Sequence, residues 1–178
     1  MGNKEMKEQK ERIVLELIKK SDTPLIVKWR NNEKVRKNFI FQEIFTEEMH
    51  NKWMDTKVAS GEVVQFIIRL KESKKAIGSV YFRDIDYDKK EAEYGIFIGE
   101  DTERGMGYGS EAARLALAYA FSELKLESVF LRVFADNTAA IRSYSSVGFE
   151  ETEYQKNAVK NDGIFRDLIF MKKYNDLL

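Results

Sequence analysis

The segment Ile98-Gly99-Glu100-Asp101-Thr102-Glu103-Arg104-Gly105-Met106-Gly107-Tyr108-Gly109 is suited to close approach by a ligand. Glycines leave the backbone bare of Cβ atoms. A helical apolar pattern follows at once, so the turn ends on a helix N-terminus. There the first N–H groups are unpaired and lie at the positive end of the helix dipole. Arg104 adds a cation. Together these describe a cradle for a pyrophosphate. The dinucleotide fingerprint G-x-G-x-x-G is not met, because Ser110 occupies the third glycine site after Gly105 and Gly107. The triphosphate loop needs G-K-[ST], and no lysine follows these glycines.

Two further sets of residues have spacing that could serve chemistry. Asn137 suits a helix N-cap, and Tyr144 lies two helical turns further on, so both can face one groove. Core packing is the other use for an aromatic on a short helix. Gly148 suits the helix C-terminal position. In Glu91-Ala92-Glu93-Tyr94-Gly95-Ile96-Phe97-Ile98, the strand period of two places Glu91, Glu93 and Phe97 on one face. A carboxylate held inside a sheet is costly unless it is used. Exposure to solvent, or pairing with lysines on an adjacent strand, is the alternative.

The elements that must position these groups follow from periodicity. Arg12–Ile18 reads as a first strand. Ser21-Asp22-Thr23-Pro24 starts a helix, with Thr23 or Asp22 as cap and Pro24 in the first turn, running to about Asn32. A second helix begins near Thr46, with Met49, Trp53 and Met54 on one face. Val63–Leu70, Ala76–Asp86 and Glu91–Gly99 form an antiparallel meander. Beyond the glycines, Ala112, Leu115, Ala116, Tyr119, Ala120 and Leu124 make one helical stripe. Val129, Leu131, Val133 and Ala135 alternate as a strand. A short helix runs from Asn137 to about Ser146, and Phe149–Tyr154 and Ile164–Met171 close the chain as strands. The order β-αα-βββ-α-β-α-ββ predicts an α/β fold in a single domain over residues 1–178, with 1–11 a poorly ordered or accessory segment.

Composition removes other chemistries. The chain has 178 residues, enough for one full core. It has no cysteine, so a thiolate nucleophile, a zinc–cysteine site and an iron–sulfur cluster are excluded. His50 is the only histidine, so no multi-histidine metal site exists, and with no partner in sequence it reads as a surface residue. Thirty basic residues balance thirty acidic ones, which gives no global attraction to nucleic acid or to an anionic membrane. The start Met-Gly-Asn-Lys-Glu-Met has no apolar run, so no secretory leader is expected, and Met6 stands where myristoylation wants Ser or Thr. A cytoplasmic protein is the expectation.

Arg104, Gly107 and Gly109 fill the pattern R-x-x-G-x-G at the end of a fourth strand. Asn137, Ala140, Tyr144, Gly148 and Phe149 fill N-x-x-A-x-x-x-Y-x-x-x-G-F, one helix and one strand later. Both motifs, in this order, resemble those of the GNAT N-acetyltransferases, and the resemblance covers about Ile13 to Met171. It implies a mixed, mostly antiparallel sheet of about seven strands, with the fourth and fifth splayed, flanked by about four helices. It implies acetyl-CoA as co-substrate and no metal. The cofactor would lie on Ile96, Phe97 and Ile98, whose exposed strand edge pairs with the pantetheine arm and supplies an oxyanion donor. It would also meet Arg104, Gly105, Met106, Gly107, Tyr108, Gly109, Ser110, Asn137 and Tyr144. Tyr144 would protonate the leaving thiolate, and Glu93 would take the amine's proton through water or bind the amine.

Trp29-Arg30-Asn31 and the Glu91–Gly95 strand look like the branch that holds ribosomal-protein N-terminal, spermidine and amino-sugar-nucleotide acetyltransferases. The triplet and Phe39-Ile40-Phe41 are most similar to the amino-sugar-nucleotide group, which makes such a small amine the expected acceptor. A protein N-terminus or a polyamine is the alternative, and a non-catalytic acyl-CoA-binding module is the reading of a different class. Trp29, Arg30, Asn31 and Glu93 are the expected acceptor contacts, although Trp29 and Trp53 also suit core packing. No nucleic-acid or membrane partner is expected, and a homodimer is a possible assembly.

Overall fold

A computed structural model describes residues 11–176. The accessory segment expected at the N-terminus therefore lies, but for Glu11, outside the described residues. Seven strands form one sheet in the order β1-β2-β3-β4-β5-β7-β6. They are β1 (Ile13–Leu17), β2 (Val64–Leu70), β3 (Ala76–Asp86), β4 (Glu91–Ile98), β5 (Ser128–Phe134), β6 (Glu150–Asn161) and β7 (Ile164–Tyr174). The helices are α1 (Thr23–Asn31), α2 (Glu33–Arg36), α3 (Glu47–Trp53), α4 (Tyr108–Ser122) and α5 (Thr138–Ser146). The expected element order holds, with the one-turn α2 added between the first two expected helices.

Every neighbouring strand pair is antiparallel except β4 and β5. Those two pair only at Glu91↔Ser128, Ala92↔Val129 and Glu93↔Phe130, and then diverge. The splay expected from the resemblance is therefore present. Past Glu93 the β5-facing backbone of β4 has no strand partner.

Strand alternation sorts side chains between two cores. Phe66, Ile68, Val80, Phe82, Ala92 and Tyr94 pack beneath the small-residue face of α4, where Ala112, Ala116 and Ala120 are buried. The intervening residues Ile67 and Phe97 pack on the opposite face with Ile26, Trp29, Val35 and Met54. Glu93, Gly95 and Phe97 thus face the α1–α3 side, and Tyr94 and Ile96 face α4 and α5.

Two expectations about elements change. The last hairpin is longer than the apolar pattern indicated, because residues 155–160 are largely polar and exposed and show no alternation. Its turn is set by Asp162 and Gly163, both at positive φ (49° and 81°), the geometry that matches strand twist in a tight hairpin. His50 is also not on the surface. It is 1% exposed, its Nδ1 lies 2.8 Å from Thr23 Oγ1, and its ring stacks edge-on to Phe45. Helix α3 turns it inward against α1, a contact between separate segments that spacing alone could not reveal.

Candidate active site

The glycine turn is shaped by two left-handed residues, Gly105 (φ 74°) and Gly107 (φ 82°), with Gly107 as N-cap of α4. Such φ values are strained for residues with a Cβ. Glu111, in the first turn of α4 and buried, accepts from the backbone N–H of Arg12 (2.6 Å) and from its Nε (2.9 Å). Arg12 also donates to the Met106 carbonyl and stacks 4.5 Å from the Tyr108 ring centre. This brace fixes the helix start against β1.

A cavity of about 620 Å³ opens where β4 and β5 part. One end is lined by Gly105, Gly107, Gly109 and Ser110 of the turn and helix start, with Asn137, the N-cap of α5, and Tyr144 of that helix. Ile96, Phe97 and Ile98 form the floor. The other end is lined by Arg30, Phe39, Ile40, Phe41, Tyr81, Arg83, Glu93 and Arg132. Most of the expected cofactor residues are thereby brought to one surface. Met106 and Tyr108 are not: Arg12 covers Tyr108, and Met106 points outward at 54% exposure.

Arg104 lines the cavity, but its guanidinium is engaged. It donates to the Ile98 carbonyl (3.0 Å) and the Gly99 carbonyl (3.4 Å) and pairs with Asp101 (2.8 Å). It ties the end of β4 to the turn. Asn137 caps α5 through its side-chain oxygen, 3.3 Å from the Ala140 nitrogen.

Tyr144 of α5 lines the cavity. Its ring meets Tyr94 edge-on at 6.1 Å and Phe149 at 6.0 Å. Its hydroxyl has no hydrogen-bond partner among the described residues. Burial pushes its ionisation well above the ordinary phenol range, and the neighbouring Tyr81 adds to this, so the group stays a proton donor. The Tyr94 hydroxyl is buried without a partner.

Glu93 is 7% exposed and held by two arginines. Arg83, its cross-strand neighbour, donates to Oε2 from Nε (3.1 Å) and Nη2 (2.9 Å). Arg132 of β5 donates to Oε1 (2.9 Å) and Oε2 (3.1 Å). Glu91 shares its face, as expected, but bonds Ser128 and Lys172 instead.

Two expected acceptor contacts need correction. Trp29 is fully buried and donates to Glu100 (2.7 Å), so it packs beneath the cavity and does not line it. Asn31 uses its amide on the backbone of Phe45, donating to the carbonyl (2.7 Å) and accepting from the N–H (2.8 Å). It anchors the loop after α2. Arg30 does reach the cavity, its guanidinium 3.6 Å from the Phe39 ring centre and 4.8 Å from that of Phe45.

Sequence reasoning missed Tyr81, Arg83 and Arg132. A signal existed for both arginines, since each interrupts an apolar strand run that otherwise leaves no place for a charge. Among the described residues no group of three or more His, Asp or Glu is placed to hold a metal, and no helix is long and apolar enough to cross a membrane.

A mixed sheet parted between two strands, with a glycine-rich helix start at the parting, defines an acyl-CoA transferase architecture. The chain belongs to the acetyltransferase (GNAT) domain family, whose model matches residues 12–150. It is an N-acetyltransferase with acetyl-CoA as co-substrate. A spermidine N(1)-acetyltransferase of Vibrio cholerae is 26% identical over 171 residues, covering 91% of this chain and 95% of that protein. An alpha/beta-tubulin-N-acetyltransferase 9 of Drosophila melanogaster is 28% identical over 79% of this chain and 76% of its own length. The crystal structure of the Vibrio cholerae spermidine N-acetyltransferase with CoA and spermine superposes with a TM-score of 0.86 at 21% identity. It covers 92% of this chain and 95% of that one.

Proposed function

We propose that the cavity holds acetyl-CoA and a primary amine together and transfers acetyl directly between them. The observation that carries this reading is one continuous cavity, lined from the N-terminus of α4 to Arg30, with Tyr144, whose hydroxyl is unpartnered among the described residues, on its wall. The pyrophosphate would rest on Gly105, Gly107, Gly109 and Ser110. The pantetheine arm would pair with the unpartnered β4 edge at Ile96–Ile98 as an added strand.

The amine nitrogen attacks the thioester carbonyl carbon, and the oxygen gains charge. A backbone N–H of the β4 edge is the donor that stabilises it. The C–S bond then breaks, and Tyr144 gives its proton to the departing thiolate. The nitrogen loses one proton to complete the amide. Glu93 Oε1, which takes only the Arg132 Nε donor, keeps a lone pair for the amine or for a bridging water. The chain has no cysteine to form an acyl-enzyme thioester, which favours this one-step course.

The amino-sugar-nucleotide acceptor expected from the sequence has no support in the relatives reported above. Their names back the polyamine alternative better. Free-thiol release from acetyl-CoA, followed with a panel of amines, tests the reaction class. Release that no amine accelerates would overturn it.

A further inference from the structure

Resting on this reading of the cavity, we propose that the acceptor end recognises an amine that also bears a phosphate or carboxylate, with Arg30 as the anion-binding group. The wall there carries three guanidinium groups, from Arg30, Arg83 and Arg132, and one carboxylate, Glu93. Glu93 is already shared between Arg83 and Arg132 through four N–H donors. Nothing acidic is left for Arg30. It is half-buried between the rings of Phe39 and Phe45 and has no ion pair and no hydrogen bond among the described residues.

Stacking on two aromatic faces orients a guanidinium but satisfies none of its five N–H donors. A cation withdrawn from water in this way calls for an anionic partner. The planar fork matches a carboxylate or phosphate, which it can hold with two parallel bonds. The other cations here already have acidic partners. Lys34, also on the wall, is committed to Asp101. A bare polycation would instead meet an excess of like charge, with Glu93, already shared between two guanidinium groups, as the one carboxylate on this wall. Relatives acetylate spermidine by name. The charge on this wall argues for a different acceptor.

The test uses amines that share a two-carbon frame: ethanolamine, O-phosphoethanolamine and β-alanine, with spermidine beside them. Thiol release should show kcat/KM about ten-fold or more higher for one or both anionic amines than for ethanolamine, as charge-assisted pairing implies. The phosphate and carboxylate arms then tell which anion is preferred. Arg30→Met keeps an apolar stem of similar reach. It should erase the preference through KM while leaving the Kd for acetyl-CoA unchanged. Spermidine exceeding both anionic amines, or a preference that survives Arg30→Met, would overturn the proposal.

Binding supplies a readout that does not need turnover. With the enzyme saturated in CoA, so that the glycine cradle is filled, inorganic phosphate should raise the Tm of the wild type more than that of Arg30→Met. Equal shifts overturn the anion site. Should no amine be acetylated at all, the transferase reading falls, and the phosphate shift alone decides whether Arg30 binds anions.

Discussion

The indole of Trp29 lies directly against the backbone of Gly99, where a Cβ would overlap Cγ, Cδ1 and Cδ2 of the ring. A residue that looked like an acceptor contact is thus the wedge that sets how the end of β4 sits on α1. Gly99→Ala should destabilise the fold by about 1–3 kcal/mol, the usual cost of overpacking a filled core. Urea denaturation measures it, and a midpoint equal to wild type would show that the wedge can yield.

The glycine turn predicts a loss specific to the cofactor. Gly107→Asp places a carboxylate at the N-terminus of α4 and a Cβ at φ 82°. Acetyl-CoA affinity should fall at least about ten-fold by calorimetry, since both charge and backbone shape oppose the pyrophosphate. Arg104→Ala should weaken binding less, because that guanidinium already serves Ile98, Gly99 and Asp101. Undiminished affinity in Gly107→Asp would remove the cradle from the site.

Tyr144→Phe keeps the ring contacts with Tyr94 and Phe149 and deletes only the hydroxyl. Loss of one general acid should lower kcat by roughly ten- to a thousand-fold, with little change in the Kd for acetyl-CoA. A fully active variant would reduce Tyr144 to a packing residue.

His50 predicts a pH dependence of stability. Burial, followed by the nearby charge of Arg30, lowers its ionisation from 6.5 to about 4, with Asp22 opposing. The unfolded chain therefore binds a proton that the native chain refuses. Stability from this group is full above pH 6.5 and is lost as pH falls from 6.5 towards 4, by about 3 kcal/mol in all. Urea midpoints across that range should fall more steeply in the wild type than in His50→Gln. Parallel curves would assign the acid sensitivity elsewhere.

Periodicity and turn chemistry made much of the fold legible, because strands such as β3 and helices such as α4 each bury one face. The glycine turn, Asn137 and Tyr144 were legible for the same reason, being local in sequence and tied to a helix start or a helical spacing. Trp29, Asn31 and His50 were not. Their roles depend on partners far along the chain or on a neighbouring element: Glu100 and Gly99, the Phe45 backbone, and Thr23. Glu93 was found by its place in β4, but its clamp needed the register that sets Arg83 opposite it and the parting that leaves Arg132 within reach.

The two ends of the cavity are written on separate stretches of chain. Gly105–Ser110 and α5 clothe one end; α1 and the loop following α2, with side chains from the strands, clothe the other. Substitutions in that loop, between Lys37 and Phe45, can exchange one end and leave the other intact. With acetyl-CoA placed as proposed, such changes would alter the acceptor and leave the acyl donor as it is. Kinship within the family would then be a sound guide to the donor and a poor one to the amine.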